Sequence, residues 1–269
     1  MRKLLTWLVA LALLAGGAGA VAEGEIVVFA AASLTETLTD IAGNYMASHP
    51  GLRVVCNFDS SGTLKTQIRE GAACDLFISA AQKQMDQLDI DASPAVNTEG
   101  LDFVDRATRV DLLENKVTLA VPEGNPRGVD SFDQLAVLLK EGNLLLAVGN
   151  SDVPVGQYTQ KLFEYYGIDE AAVAGKLTYG SNVKEVTAQV AENSVDCGII
   201  YGTDAFSAGL KVVDEATEAM CGGRVVYPAA VLKTAANPLD AWDFLAYLQT
   251  AECAEVFAAV GFTPLTGAN

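Results

Sequence analysis

Short apolar runs alternate with amphipathic segments along most of the chain. The apolar runs predict strands, which we expect at residues 25–29, 52–57, 75–78, 115–121, 144–148, 176–179, 197–201 and 224–232. Most of the segments between them repeat apolar residues at helical spacing. Because strands that alternate with helices are typical of parallel sheets, the pattern predicts an α/β protein.

The first junction between a strand and a helix carries a predicted capping box. Ser33 follows the strand and precedes Leu34 and Leu38, which are spaced like residues of one helix face. We expect Ser33 to cap this helix together with Glu36, three residues further on. A helix N-terminus presents unpaired N–H groups and the positive end of the helix dipole, so it can hold an anion.

Three further helix starts and one strand end offer similar donors. Ser61 opens the helix after the second strand, and the Val-Pro-Val-Gly segment 153–156 opens another. Asn182 is predicted to cap a third helix, which leaves the N–H of Val183 unpaired at the first helical position. An apolar strand ends on Tyr201. All these positions follow the carboxyl ends of strands, where ligands bind in open α/β sheets.

These positions fall within stretches that resemble one known family. The chain resembles the periplasmic molybdate-binding proteins of ABC transporters, and the matching stretches keep the family's order: 28–35, 75–80, 147–149 with 153–156, 198–205, and 247–248 through 261–263. In that family a tetrahedral oxyanion is held in a cleft by two serine hydroxyls, backbone N–H groups and a tyrosine hydroxyl. The resemblance implies a binding protein that delivers molybdate or tungstate to the membrane permease of an ABC transporter.

The resemblance also implies the ligand contacts, position by position. Ser33 and Ser61 match the two serines, and Tyr201 matches the tyrosine. Val155 and Val183 match the residues that lend backbone N–H groups. All of them would contact the oxygens of the anion without binding its metal directly, and no cofactor is expected.

The fold implied by the resemblance is the type II periplasmic binding protein fold, with two lobes and a ligand cleft between them. We expect each lobe to contain a mostly parallel sheet flanked by helices. Turn-rich residues at 122–128 and a glycine pair before the last long strand indicate two crossings between the lobes. The expected division is 1–22 for a signal peptide, 23–122 plus 226–269 for lobe 1 and 123–225 for lobe 2.

Residues 1–22 have the pattern of a secretory signal peptide. A basic start precedes an apolar run from Leu4 to Leu14, and small residues follow it up to Ala22. The apolar run is too short to favour a membrane span. We therefore expect an exported, soluble and monomeric protein in the periplasm.

Composition restricts the partners. The formal net charge is −17, and so acidic a chain argues against nucleic acid and anionic membranes as partners. Because the chain has five cysteines without a C-x-x-C pair and a single histidine, a metal site is not expected. Cys56 with Cys74, and Cys221 with Cys253, stay open as disulfide pairs.

Two positions depart from the family pattern. Asp59 introduces a carboxylate close to Ser61, where small uncharged residues are more usual, and a charge facing the cleft would oppose anion binding. We expect Asp59 to point to solvent and phosphate to be rejected. Cys197 replaces an apolar residue and is expected to change packing only.

Other function classes stay open as alternatives. An exported α/β enzyme is one, but the chain has no G-x-S-x-G elbow, P-loop or dinucleotide fingerprint. An effector-sensing regulator with the same bilobed fold is another, against which the predicted signal peptide argues. Among binding proteins, sulfate, phosphate or an organic ligand is the nearer alternative to molybdate.

Overall fold

Two sheets flanked by helices form the protein in the computed structural model, which describes residues 24–142 and 144–265. The strands of these residues are β1 (Gly24–Ala31), β2 (Leu52–Asp59), β3 (Leu76–Ile78), β4 (Val110–Asn115), β5 (Val117–Val121), β6 (Leu146–Gly149), β7 (Leu177–Gly180), β8 (Cys197–Tyr201), β9 (Lys211–Glu215), β10 (Val225–Val231) and β11 (Thr263–Pro264). The α-helices of the same residues are α1 (Thr35–Ser48), α2 (Ser61–Arg69), α3 (Gln82–Asp86), α4 (Phe132–Glu141), α5 (Pro154–Tyr166), α6 (Glu170–Val173), α7 (Val183–Ala191), α8 (Gly202–Ser207), α9 (Glu218–Cys221), α10 (Pro238–Leu248) and α11 (Ala251–Ala259). None of these helices is long and apolar enough to cross a membrane. The predicted signal peptide at 1–22 lies outside the described residues.

Each sheet mixes parallel and antiparallel strands. The first sheet has the order β11-β4-β10-β3-β1-β2, and the second has the order β7-β6-β8-β5-β9. β1 runs parallel to β2 and β3, and β6 runs parallel to β7 and β8. The pairings that involve β4, β5, β9, β10 and β11 are antiparallel. The predicted α/β architecture of two mostly parallel sheets is confirmed, since eight of the eleven described strands share the main direction of their sheet and only β5, β10 and β11 run against it.

The antiparallel pairings follow from the way in which the chain crosses between the sheets. β5 begins at Val117, opposite Tyr201 at the carboxyl end of β8, and runs away from that edge. β10 likewise passes Ile78, at the carboxyl end of β3, before it reaches Leu76. A strand that enters a sheet at the carboxyl end of its neighbour runs antiparallel to it. The carboxyl ends of β3 and β8 therefore lie on the side of the crossings.

The chain passes from the first sheet to the second at Lys116. β4 and β5 flank this residue and belong to different sheets. The strand predicted at 115–121 corresponds to β5 and extends across the crossing to Asn115, the last residue of β4. The expected boundary at residue 122 is therefore wrong, because β5 pairs within the second sheet. The chain crosses in extended form, and the turn-rich residues 122–128 come only after the crossing.

We use "first lobe" for residues 24–115 with 225–265, and "second lobe" for residues 117–224, according to the sheet to which each strand belongs. Three strands have no counterpart in the sequence prediction: β4, of which only Asn115 lies in a predicted strand, β9 and β11. β9 lies at the edge of the second sheet and carries Lys211, Asp214 and Glu215, so it lacks an apolar run. β11 has only two residues.

Side chains of β1 alternate between two apolar clusters. Ile26 and Val28 pack in a cluster that extends through both lobes, whereas Phe29 packs with Leu64 and Phe77 on the opposite face of the first sheet. Full burial of one such side chain contributes about 1.5–3 kcal/mol. The described cysteines are all free thiols, so neither disulfide pair left open by the sequence is formed: Cys56, Cys74, Cys197, Cys221 and Cys253.

Polar contacts join the two lobes directly. Lys184, on α7 of the second lobe, places Nζ 2.7 Å from Glu36 Oε2, on α1 of the first lobe. The same Nζ lies 3.1 Å from Asp204 Oδ1, on α8. Elsewhere Gln84 Nε2 donates to Gln157 Oε1 across the lobes at 3.2 Å. The structure is therefore that of a closed arrangement, in which one ammonium group pairs with a carboxylate from each lobe.

Of the two carboxylates that pair with Lys184, that of Asp204 is the one whose burial is unfavourable for its charged form. Its side chain is fully buried, and burial raises the pKa of its carboxyl from the ordinary value of 3.8 to about 6. The Lys184 ammonium opposes this shift and the Glu36 carboxylate reinforces it. Because the native protein takes up this proton at a higher pH than the unfolded chain, the free energy of unfolding falls as pH rises from about 4 to about 6.

We expect Asp204→Asn to remove this pH dependence, because the amide keeps the shape of the carboxyl without its charge. The free energy of unfolding of the variant minus that of the wild type should increase by about 2–3 kcal/mol as pH rises from 4 to 7. Urea unfolding at several pH values measures the difference. Asp40→Asn is the matched control, since Asp40 is exposed and should change stability by less than about 1 kcal/mol. Parallel pH profiles for Asp204→Asn and the wild type would contradict the assignment.

Candidate functional site

A small cavity lies between the lobes, next to the ends of β1, β2 and β8 and the starts of α5 and α7. About 190 Å³ of space free of protein atoms lies in it, part of which is open to solvent. Its lining contains Ala31, Ala32, Ser33, Asp59, Ser60, Ser61, Ala80, Val153, Pro154, Val183 and Tyr201. Four of the predicted ligand contacts, Ser33, Ser61, Val183 and Tyr201, are thus brought together, whereas Val155 is not among the lining residues and follows Pro154, which is.

Ser33 reaches the cavity from a 3₁₀ turn and not from a helix cap. The turn spans Ala32–Leu34, and α1 begins only at Thr35 with no side chain capping it. The predicted capping box of Ser33 and Glu36 is therefore wrong, since the extra turn moves Ser33 away from the start of α1. Its buried Oγ instead lies 2.9 Å from Tyr227 Oη.

Ser61 is the first residue of α2, and its neighbour Ser60 caps that helix. Ser60 Oγ accepts a hydrogen bond from the N–H of Thr63 at 3.1 Å. Ser61 Oγ accepts from the N–H of Ala80 at 2.9 Å and is fully buried. Because this oxygen already accepts one hydrogen bond, its own O–H is left to donate to a group in the cavity.

Two helix starts of the second lobe supply the backbone donors. Val183 is the first residue of α7, so its N–H has no partner within the helix. Asn182 caps α7 by accepting from the N–H of Glu185 at 3.1 Å. In α5 the first residue, Pro154, has no N–H, so that of Val155 is the first that this helix can offer. The Val155 side chain is buried, and only its backbone is available to the cavity.

Tyr201 contributes a hydroxyl that finds no hydrogen-bond partner among the described residues. The side chain is 1% exposed at the end of β8. Burial, followed by the neighbouring Tyr227, raises the pKa of Tyr201 well above its ordinary value, so the hydroxyl stays protonated. A buried donor without a partner costs about 1–3 kcal/mol, which an acceptor placed in the cavity would offset.

Asp59 lies at the cavity, and the expectation that it points to solvent is wrong. As the last residue of β2 it faces the start of α7 in the other lobe. Its Oδ1 accepts from the N–H of Ser60 at 2.7 Å and from Asn182 Nδ2 at 3.3 Å. The carboxylate is therefore held at the cavity wall by donors from both lobes.

Tyr227 and Asn115 lie behind the cavity and were not predicted as functional residues. Asn115 Nδ2 donates to Tyr227 Oη at 3.1 Å and to Thr203 Oγ1 at 2.9 Å, and all three residues are buried. In the sequence Tyr227 has the pattern of a core aromatic within an apolar strand. The one local signal is Pro228, where the pairing of β10 with β4 shifts register.

The lining of the cavity suits an anion. It contains hydroxyl groups and helix starts but no lysine, arginine or histidine. Within the described residues, no group of three or more His, Cys, Asp or Glu side chains is arranged to hold a metal ion. The site can therefore stabilise negative charge through neutral hydrogen-bond donors.

Comparison with known proteins gives a consistent family. Residues 26–263 match the model of a family described as bacterial extracellular solute-binding protein. The chain is 38% identical to the molybdate-binding protein ModA of Escherichia coli (strain K12), over 90% of each chain. It is similar in structure to the periplasmic molybdate-binding protein of Azotobacter vinelandii, with a TM-score of 0.73 and 21% identity, over 88% of this chain and 98% of the other. The sulfate-binding protein SubI of Mycobacterium tuberculosis H37Rv also has a TM-score of 0.73, with 17% identity, over 90% of this chain and 87% of the other.

Proposed function

We propose, since the chain belongs to the bacterial extracellular solute-binding protein family, that it binds molybdate or tungstate outside the cytoplasm and delivers it to the permease of an ABC transporter. The oxyanion would sit in the cavity between the lobes. Ser33, Ser61 and Tyr201 would donate through their hydroxyls, and Val155 and Val183 through their backbone N–H groups.

The unpaired hydroxyl of Tyr201 is the observation that carries this proposal. It is a buried donor at a cavity that also receives Ser61, whose O–H is free to donate. The cavity is far smaller than the pockets that hold drug-sized ligands. A small anion with several acceptor oxygens matches both the size and the donors.

Delivery to a permease follows from closure of the lobes. Serine hydroxyls of the first lobe and donors of the second can satisfy one small ion only when the lobes are together. The ion therefore favours the closed arrangement, which is the form that a permease would distinguish from the empty protein. The predicted signal peptide supports export to the compartment in which such a permease collects its ligand.

Sulfate is the second candidate, since the fold is equally similar to that of a sulfate-binding protein. Sulfate also lacks a proton at neutral pH and is smaller than molybdate. In a rigid set of donors it would leave some hydrogen bonds too long, each at a cost of part of a bond. The greater sequence identity to the molybdate-binding relative supports molybdate as the first choice.

Loss of any one donor hydroxyl should weaken binding of molybdate. Ser33→Ala, Ser61→Ala and Tyr201→Phe should each reduce the binding free energy by about 1.5–3 kcal/mol, the range for hydrogen bonds to charged groups. Isothermal titration calorimetry measures the change. Ser48→Ala, at the exposed end of α1, is the control and should bind like the wild type. Unchanged affinity in all three site variants would show that the assigned residues do not hold the ion.

Closure can be tested through Gly62, on α2. A Cβ at this position would lie 2.1 Å from the carbonyl oxygen of Asp152 in the other lobe. Gly62→Ala should therefore keep the lobes apart, weaken molybdate binding at least tenfold and prevent compaction on adding molybdate. Small-angle scattering with and without molybdate reports the compaction. Gly43→Ala, within α1 and with open space around it, is the control. Normal compaction and affinity in Gly62→Ala would contradict closure as described.

The charge of Asp59 should oppose the bound anion. Asp59→Asn removes this charge but keeps an oxygen that can accept from Ser60 and Asn182. We expect molybdate to bind about fivefold more tightly, which corresponds to about 1 kcal/mol for charges near 4 Å in a solvent-like environment. Asp40→Asn, an exposed change of the same net charge, should leave the dissociation constant as it is. Weaker binding by Asp59→Asn would mean that Asp59 acts by holding the lobes together and not through its charge.

A further inference from the structure

Asn115 is held in one orientation by the backbone. It is the last residue of β4, and its Oδ1 accepts from the N–H of Lys116 at 2.8 Å. A backbone N–H can only donate, so the amide oxygen must face it. The Nδ2 group is thereby directed at Tyr227 Oη, at 3.1 Å, and at Thr203 Oγ1, at 2.9 Å.

This orientation determines the direction of the next hydrogen bond. An amide NH₂ group donates and does not accept, so Tyr227 Oη is the acceptor toward Asn115. The phenolic proton is then left for Ser33 Oγ, 2.9 Å away. Because Ser33 Oγ accepts from Tyr227, its own proton points elsewhere. Asn115 and Tyr227 are buried, so no bulk water competes for these groups.

We propose that Asn115 and Tyr227 are positioning residues that fix Ser33 as a hydrogen-bond donor and so make the site select oxyanions without a proton. The inference rests on the proposed function, in which Ser33 contacts the anion. Hydrogen phosphate carries a proton that needs an acceptor, whereas molybdate and sulfate do not. Ser33 and Ser61 do not take this proton, since each oxygen accepts a hydrogen bond from the protein and turns its own O–H toward the cavity, and a hydroxyl that donates to an anion oxygen does not accept from that oxygen.

Asp59 is the charged acceptor at the cavity wall, where the uncharged Tyr201 hydroxyl also lies. Its Oδ1 already accepts from Ser60 and from Asn182. The carboxylate repels any anion, with or without a proton, and therefore does not favour phosphate by charge. The part that Ser33 plays in selection against a protonated anion thus depends on the direction of its hydroxyl, and that direction depends on Tyr227.

Two variants change this direction in different ways. Tyr227→Phe removes the donor to Ser33 and frees the serine hydroxyl to rotate. Asn115→Asp keeps an oxygen for Lys116 but presents an acceptor to Tyr227, whose proton then turns away from Ser33. Ser33 donates back to Tyr227 and offers the cavity an acceptor. Tyr45→Phe, a buried tyrosine of α1 outside the site, is the matched control.

The test compares three anions at pH 7.5, where molybdate and sulfate carry no proton and phosphate is largely hydrogen phosphate. Isothermal titration calorimetry or competition binding gives the dissociation constant of each anion for the wild type and the variants. We expect molybdate and sulfate to weaken together in both variants, while phosphate weakens less or gains. The ratio of the phosphate to the molybdate dissociation constant should fall at least fivefold, and it should not change in Tyr45→Phe.

The outcomes separate the two proposals. If the wild type does not bind molybdate, the proposed function fails. If the wild type binds molybdate but the variants raise the dissociation constants of all three anions by the same factor, the substitutions do not change selectivity. That result overturns the positioning role. Thermal unfolding identifies a variant that does not fold. If Asn115→Asp does not fold, Tyr227→Phe, which removes only one hydroxyl group, decides by the same ratio of phosphate to molybdate dissociation constants.

Discussion

Neutral donors gathered at one buried cavity are the constraint on which the arrangement of the two lobes depends. The Tyr201 hydroxyl has no partner among the described residues, and Ser61 and Val183 offer further donors to the same cavity. Such donors are costly when buried unless an acceptor meets them. An anion with several oxygens can satisfy donors of both lobes at once. No cation is required in the lining, which explains how a chain with a net charge of −17 can still offer a site for an anion.

The topology explains why the donors meet. Parallel strands of both lobes end on the side of the crossings, and the helices that follow them begin there. Lys116 alone separates β4 from β5, so the two sheets are joined by nearly continuous extended chain. The interlobe contacts of Lys184 and Asp59 then lie beside the cavity, at the start of α7. The start of α7 therefore provides contacts between the lobes and also lines the cavity.

The sequence was sufficient to predict the α/β class, most strands and the positions around the cavity. Apolar runs and helix starts are local patterns, and Ser61, Val183 and Tyr201 all stand at such boundaries. It was not sufficient where the outcome depends on distant partners. Ser33 does not cap α1. Its hydroxyl instead contacts that of Tyr227, which is 194 residues away in the sequence. The boundary at Lys116 carries no turn signal, and the orientation of Asp59 is set by Asn182 in the other lobe.

Asn115 has a consequence for how the ion leaves. Its Nδ2 bonds Tyr227 in the first lobe and Thr203 in the second, directly beside the residue at which the chain crosses. If the lobes separate, Thr203 moves relative to Tyr227, and one amide group cannot keep both hydrogen bonds. The Asn115 side chain thus contacts both lobes at the crossing and, through Tyr227, is linked to Ser33 at the cavity. Separation of the lobes would therefore disturb the hydrogen bonds that orient Ser33, and loss of an anion from the cavity would be coupled to that separation.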